Sequence, residues 1–272
     1  MVTVKERVWS ATLSIGGRVM LNLSGKTAFV FGVASEDSIA WAICKMLADS
    51  GVNLYLGYQK RFRSRIFQLK DKLPQIAGFY PLDVSTDEDT KEFFDAFSKE
   101  NPGKKADILI HAIGFAPRTC FDRPILFVED QDINTAMTIS ANSLQRCLKF
   151  ALPYLNPNSS TITLTYAASN RYVPSYGIMS MAKAALECWT RELACHLGPE
   201  GHRVNAISSG PIRTIAASGI PGFENILDHV EKNAPLRRNV NQDDVAGATL
   251  WLASPMSVSY THLRAHETAV NR

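Results

Sequence analysis

Two tyrosines and a lysine carry the strongest chemical signal in the sequence. Tyr176 and Lys183 stand seven residues apart in a stretch, 175–197, whose apolar period predicts a helix, and Tyr166 lies ten residues before Tyr176. On a helix this spacing puts Tyr176 and Lys183 on one face, about 10 Å apart along the axis. A lysine near a tyrosine hydroxyl favours the phenolate and can bind ribose hydroxyls, while the phenol can donate to a developing oxyanion. The alternative is a surface lysine and a core tyrosine at a common helical spacing.

The turn between the first predicted strand and the first predicted helix could bind a phosphate. Residues 27–32 read as a strand, and Ser38 begins a helix that ends before Gly51. A helix N-terminus presents free backbone N–H groups and a positive dipole end, which suit a pyrophosphate. Gly32 allows a tight turn, and Ser38 either caps the helix or hydrogen-bonds a phosphate. Because the spacing is not G-x-G-x-x-G, an ordinary strand-to-helix turn with a serine cap explains these residues equally well.

Further candidate ligands follow other predicted strands. Asp83 and Val84 close the third strand, and Ile113 and Gly114 follow the fourth. An aspartate after a strand can accept from an adenine amino group, and a glycine there lets a cofactor lie against the backbone. Ordinary turn chemistry accounts for both residue types as well. The basic run 60–65, after the second strand, is either a solvated helix face or a contact for a 2′-phosphate.

The elements that must position these residues alternate along the chain. Strands are predicted at 27–32, 52–58, 78–82, 107–112, 160–166 and 203–208, with intervening or following helices that include 130–155, 175–197 and 242–253. This alternation predicts a single α/β domain built on one doubly wound parallel sheet, rather than two domains. Ligands of such sheets bind at the carboxyl ends of the strands, which is where the candidate residues stand.

Composition and charge argue against several other classes of protein. Of the 272 residues, 46% are hydrophobic, which is enough for a sizeable core and too many for a disordered chain. A net charge of +3 gives no reason to expect nucleic acid or a membrane surface as a partner. No stretch approaches the roughly 18 apolar residues of a membrane span, and no signal peptide is recognisable. Five cysteines without C-x-x-C spacing, and histidines without ligand spacing, predict no metal site and a cytoplasmic location.

Several motifs occur in a fixed order along the chain. They are Gly32-Val-Ala-Ser-x-x-Ser-Ile-Ala, Tyr58-Gln59, His111-x-Ile-Gly-Phe-Ala-Pro117, Leu164-Thr-Tyr166, the pair Tyr176 and Lys183, and Val204-Asn-Ala-Ile-Ser-x-Gly-Pro-Ile-Arg-Thr214. Together they resemble the bacterial enoyl-[acyl-carrier-protein] reductases of fatty acid biosynthesis, a divergent branch of the short-chain dehydrogenase/reductase superfamily. The resemblance covers about residues 21–257. Most of that superfamily places the lysine four residues after the tyrosine, where this chain has Ser180.

The resemblance implies a tetrameric Rossmann enzyme that reduces the trans-2 double bond of an acyl thioester carried on acyl carrier protein. Hydride from NADH would go to C3, and Tyr176 would stabilise the resulting enolate oxygen. Lys183 would hold the nicotinamide ribose and tune the tyrosine, while Tyr166 would line the acyl pocket. Residues 216–223 would form a mobile substrate lid.

The resemblance also implies two sets of binding residues. The dinucleotide would contact Gly32, Ser38, Ile39, Gln59, Asp83, Val84, Ile113, Gly114, Lys183, Ile212, Arg213, Thr214, Ile215 and Ala216. The substrate would contact Ala116, Tyr166, Met179, Ile220 and Phe223.

This chain departs from the family pattern in three places. The lid positions that are often basic in the family, for an acidic carrier protein, are Pro221, Glu224 and Asn225 here. Gln59 resembles NADH-dependent members, yet Lys60 and the arginine after it leave NADPH open. After residue 257 the sequence shows neither strand alternation nor a glycine. We therefore expect that the final strand is missing and that 258–272 is a foreign segment. Because the sequence from Met20 resembles the usual start of such enzymes, we expect 1–20 to be an extension before the reductase domain.

Two other functions remain open from the sequence. One is a carbonyl-reducing member of the same superfamily, although its usual Tyr-x-x-x-Lys spacing is absent. The other is a non-catalytic dinucleotide-sensing protein on the same fold, although both tyrosines and Lys183 are present.

Overall fold

Seven parallel strands form one sheet in the part of the chain that the computed structural model describes, namely residues 21, 23–215, 217–260 and the backbone of 264–266. The strands pair in the order β3-β2-β1-β4-β5-β6-β7. They span Thr27–Phe31 (β1), Asn53–Tyr58 (β2), Ile76–Pro81 (β3), Ala106–His111 (β4), Leu155–Tyr166 (β5), Arg203–Ser209 (β6) and Arg264–His266 (β7).

Helices connect the strands and cover both faces of the sheet. They span Ile39–Asp49 (α1), Arg63–Leu69 (α2), Asp87–Glu100 (α3), Thr119–Asp122 (α4), Asp130–Met137 (α5), Ser143–Ala151 (α6), Ile178–Leu197 (α7), Phe223–Asn233 (α8) and Gln242–Ala253 (α9). Within the described residues, no helix is long and apolar enough to cross a membrane.

Alternate residues of the strands pack into two separate cores. In β1, Ala28 and Val30 pack with α1 and α9, whereas Phe29 and Phe31 pack with α3 and α6. Because both faces are covered, β1 is buried along its whole length and is hydrophobic after Thr27, with no alternation of polar residues. The predicted doubly wound α/β fold is confirmed.

Side-chain caps begin three of the helices, including the predicted one at Ser38. Ser38 accepts from the backbone N–H of Trp41 at 3.2 Å, and Thr86 accepts from Asp89 at 3.1 Å. Asn241 and Asp244 form a reciprocal capping box at the start of α9. Such caps satisfy backbone donors that have no partner within the helix.

The predicted helix 130–155 is interrupted in two places. A π turn at Thr138–Asn142 separates α5 from α6, and a 3₁₀ turn at Leu152–Tyr154 leads directly into β5. Pro153 lacks the N–H that a continuing helix needs. In the π turn, Ser140 Oγ accepts from the backbone N–H of Phe115 at 2.8 Å and donates to the oxygen of the same residue at 2.7 Å. The turn therefore fastens this helical segment to the loop after β4.

The prediction of a missing final strand is wrong for the backbone. Strand β7 pairs in parallel with β6, with Ala206 opposite Arg264 and Ser208 opposite His266. Pairing at a sheet edge uses main-chain N–H and C=O groups, so a segment without side-chain alternation or glycine can take this place. Residues 1–20, 261–263 and 267–272 lie outside the described part, and the foreign origin of 258–272 stays a prediction.

Candidate active site

Tyr166, Tyr176 and Lys183 lie around the carboxyl end of β5. Tyr166 is the last residue of the strand, and its ring centroid is 4.9 Å from that of Tyr176, with the ring planes inclined by 53°. Lys183 Nζ donates to the main-chain oxygen of Leu164, two residues earlier in the strand, at 2.8 Å. Both Tyr176 and Lys183 are buried. The structure brings the three predicted catalytic side chains to one place, and their roles stay predictions.

Tyr176 does not lie on a helix, so the sequence argument from a shared helical face is wrong. Helix α7 begins at Ile178, and Ser175 and Gly177 on either side of Tyr176 have φ values of +62° and +48°. A Cβ on Gly177 would lie 2.9 Å from the main-chain oxygen of Cys120. This left-handed turn, rather than a seven-residue helical repeat, directs Tyr176 toward Tyr166 and the end of β5.

Burial controls the protonation of the site. It raises the pKa of Tyr176 above its ordinary value, with the neighbouring Tyr166 adding to the effect. Burial also lowers the pKa of Lys183 to about 8, against the opposing influence of Glu187. A lysine near a tyrosine favours the phenolate, but here desolvation favours the neutral phenol. The Tyr176 hydroxyl therefore keeps a proton that it can donate.

The turn after β1 has the features of an anion site. Gly32 has φ +105°, and Ser38 caps α1, whose first turn holds no acidic residue. The Ser38 hydroxyl also donates to the main-chain oxygen of Ser35 at 2.7 Å. Ser35 Oγ is buried and has no hydrogen-bond partner among the described residues. A phosphate group at the positive end of α1, next to Ile39, would accept from this hydroxyl, so these residues fit a dinucleotide.

Replacing Gly32 tests the close approach of this turn to β4. A Cβ at Gly32 would lie 2.1 Å from the main-chain oxygen of Ala112, whereas a Cβ at Gly103, with φ +76°, would meet no atom within 4 Å. We expect Gly103→Ala to cost about 1–2 kcal/mol of stability through its backbone conformation alone. We expect Gly32→Ala to cost at least about 3 kcal/mol, because overpacking adds to the same strain. Urea unfolding measures both, and equal costs would contradict the contact with Ala112.

A cavity of about 260 Å³ opens at the ends of β2 and β3. It is lined by Gln59, Lys60, Arg61, Pro81, Leu82, Asp83, Asp89 and Glu92. Asp83 Oδ1 accepts from the backbone N–H of Ser85 at 2.9 Å, and Val84 beside it is buried. The cavity has the position expected for the adenosine half of a dinucleotide.

The loop after β4 faces Lys183. A Cβ on Gly114 would lie 3.8 Å from Lys183 Nζ and 3.9 Å from Met179 Cε, so the bare backbone leaves room there. Ile113 packs against the core under α3 and α6. Sequence reasoning missed Ser140, which holds this loop from the π turn, because a serine inside a helical pattern carries no distinctive signal. π turns are frequent at functional sites, but the turn itself is visible only in the structure.

Four of the five predicted substrate residues share one apolar cluster. Ala116, Tyr166, Met179 and Ile220 pack with buried Tyr176. The fifth, Phe223, is buried at the start of α8, and its backbone N–H donates to Ile220 at 3.2 Å. The phenol of Tyr176 therefore stands in apolar surroundings.

The segment after β6 is only partly arranged as predicted. Ile212 is buried, and Thr214 Oγ1 accepts from the backbone N–H of Ala217 at 3.1 Å. Arg213 pairs through both guanidinium nitrogens with Glu224, its Nη2 lying 2.7 Å from Oε2, so its charge is directed to α8. Ile215 is about half exposed. Ala216 lies outside the described residues.

Comparisons with known proteins show the family of this chain. A model of the Enoyl-(Acyl carrier protein) reductase family matches residues 32–263. The enoyl-[acyl-carrier-protein] reductase [NADH] of Haemophilus influenzae is 41% identical over 250 residues, which cover 88% of this chain and 91% of that protein. The crystal structure of the NADH enzyme from Aquifex aeolicus superposes with a TM-score of 0.85 at 34% identity, covering 91% and 96% of the two chains. The Bacillus cereus enzyme, crystallised with NADP+ and indole naphthyridinone, has a TM-score of 0.85 at 36% identity, covering 89% and 95%.

A doubly wound sheet with these groups at its strand ends defines a dinucleotide-binding oxidoreductase of the Rossmann type. Within that class, the chain belongs to the enoyl-[acyl-carrier-protein] reductase family.

Proposed function

We propose that this chain reduces the trans-2 double bond of enoyl thioesters on acyl carrier protein, using NADH, in fatty acid biosynthesis. The observation that carries the proposal is the buried Tyr176 phenol, which contacts Tyr166 inside an apolar cluster that includes Ala182, the residue before buried Lys183. Family membership supports the same reaction.

The proposed dinucleotide site follows the ends of four strands. The turn from Gly32 to Ile39 would hold the pyrophosphate, and the cavity with Gln59 and Asp83 would hold the adenosine. Lys183 Nζ, beside the bare backbone of Gly114, would donate to the nicotinamide ribose. When bound, NADH supplies the hydride.

The chain's own residues would stabilise the charge that the reduction creates. Tyr176 Oη keeps its proton because burial raises its pKa, and it would donate to the thioester oxygen as negative charge develops there. The apolar cluster around it excludes water, which strengthens that hydrogen bond. Tyr166 lies against the Tyr176 ring and would line the acyl pocket with Met179 and Ile220. Such donors act on the transition state more than on the substrate, which is what accelerates a reaction.

NADH is the cofactor that the curated relatives name. The basic residues after Gln59 are engaged in this chain, since Lys60 lies 4.0 Å from Glu92 and the Arg61 guanidinium stands 4.8 Å over the ring of Phe62. NADPH is the alternative cofactor, and an assay with both dinucleotides decides between them.

The partners and location of the enzyme are also proposals. Acyl carrier protein presents the substrate. Glu224, directly after the predicted lid, is paired with Arg213, so carrier docking would use basic groups elsewhere. The proposed assembly is a homotetramer. A reducing cytoplasm is the proposed location, because all five cysteines are free thiols in the structure.

One assay separates this function from its two alternatives. The purified protein is mixed with crotonyl or acetoacetyl thioester and with NADH or NADPH, and dinucleotide absorbance is followed. We expect oxidation of NADH with crotonyl thioester only. Oxidation with acetoacetyl thioester alone would indicate a carbonyl reductase, and dinucleotide binding without oxidation would indicate a sensing protein.

A further inference from the structure

Two segments that the family resemblance assigns to the dinucleotide leave strands that are not neighbours. The turn with Asp37 follows β1, and the segment with Arg213 follows β6, while β4 and β5 lie between these strands. Sheet pairing alone therefore does not set the distance between the two segments.

One side chain joins them. Gln242 Nε2 donates to the main-chain oxygen of Asp37 at 3.0 Å and to that of Arg213 at 3.2 Å. A primary amide carries two N–H donors, so each carbonyl can receive one of them. Both contacts end on backbone oxygens, and they therefore constrain the paths of the segments and not their side chains.

The start of α9 fixes the backbone position of Gln242. It is the first residue of α9, directly after Asn241, whose capping box with Asp244 defines the start of the helix. Helix α9 packs against α1 in the core, where Val245 and Leu250 join Trp41. The amide thus projects from a rigid base that is shared with the helix whose N-terminus faces the proposed pyrophosphate site.

We propose that Gln242 is a positioning residue that clamps the two sides of the dinucleotide cleft. This inference rests on the proposed function and adds a residue that does not touch the reacting atoms. Losing the clamp would let the segment after β6 move away from the turn after β1, which weakens dinucleotide binding while the groups around Tyr176 keep their arrangement.

Three variants test the clamp. Gln242→Glu is nearly isosteric but places a carboxylate against two carbonyl oxygens, and Gln242→Met removes the donors without adding charge. Gln242→Lys restores N–H donors on a chain of similar reach. Asp243→Asn, at the exposed next position, is the matched control for the start of α9. An acid at the N-terminus of a helix stabilises it, so unfolding of α9 would not explain a defect in Gln242→Glu.

We expect the Glu and Met variants to raise the NADH dissociation constant and KM about tenfold, as the loss of two ordinary hydrogen bonds implies, with kcat nearly unchanged. Gln242→Lys should recover most of the affinity, and Asp243→Asn should match the wild type. An unchanged NADH dissociation constant in both the Glu and Met variants would overturn the clamp, as would a lysine variant as weak as Gln242→Met.

Fluorescence titration with NADH alone reads the dissociation constant and needs no turnover. A wild-type chain that binds NADH without reducing crotonyl thioester would therefore overturn the proposed function, while the comparison among Gln242 variants would still decide the clamp. Thermal unfolding of each variant confirms that the proteins compared are folded.

Discussion

Tyr176→Phe is expected to lower kcat for crotonyl thioester by about 100- to 1,000-fold, the usual cost of removing one donor from a developing oxyanion. The phenyl ring keeps the 4.9 Å contact with Tyr166 and the apolar surroundings, so the substitution removes the hydroxyl and little else. KM for NADH should change little, because Tyr176 is not proposed to hold the dinucleotide. Steady-state kinetics with varied NADH and varied thioester measure both effects.

Tyr166→Phe is the matched control for this experiment. It removes a hydroxyl from the neighbouring ring, whose proposed role is to line the acyl pocket, and we expect a loss in kcat of less than about tenfold. If Tyr176→Phe were fully active, the phenol would not be the oxyanion donor. If Tyr166→Phe showed the larger loss instead, the roles of the two tyrosines would be reversed.

Lys183→Met should weaken NADH binding and lower kcat/KM by roughly 100-fold, since a hydrogen bond to a charged group contributes about 1.5–3 kcal/mol. Methionine retains much of the apolar stem that packs in α7 and removes the ammonium that donates to Leu164. Fluorescence titration gives the dissociation constant, and the crotonyl assay gives kcat/KM. Wild-type NADH affinity in this variant would exclude Lys183 from the ribose site.

The affinity for NADH should also depend on pH through Lys183. Burial lowers the pKa of Lys183 to about 8, so the ammonium is largely neutralised as the pH rises above that value. We expect the wild-type affinity for NADH to fall across this range and that of Lys183→Met to stay level. A level profile in the wild type would show that the charge of Lys183 does not assist binding.

The same burial means that the charged Lys183 side chain destabilises the folded protein when no dinucleotide is bound. Its pKa is about 8 when folded and 10.5 ordinarily, so between these values the unfolded chain binds more protons than the folded one. Stability should therefore rise with pH across this window. Below pH 8, Lys183→Met should unfold at a higher temperature than the wild type. That result would show that the site keeps the Lys183 ammonium at the expense of folding stability.

The sequence alone predicted most of the elements because their signals are local. The alternation of strands and helices, the serine cap at residue 38 and the helix 242–253 depend on neighbouring residues only. The motifs around Gly32 and Lys183 identified the family, because residue types and their spacing can be read without knowledge of the fold. Sequence reasoning was wrong where a local pattern has two solutions, as in the stretch 130–155 and in the turn before α7.

The tertiary structure alone decided how segments that are distant in the chain lie relative to one another. Tyr176 reaches Tyr166 through a left-handed turn, Ser140 holds the loop after β4 from a π turn, and Gln242 joins the turns after β1 and β6. These contacts depend on packing, which brings together residues that have no fixed spacing in sequence. The residue types of the site could therefore be predicted from the sequence, whereas its geometry and the burial that sets its protonation came from the folded chain.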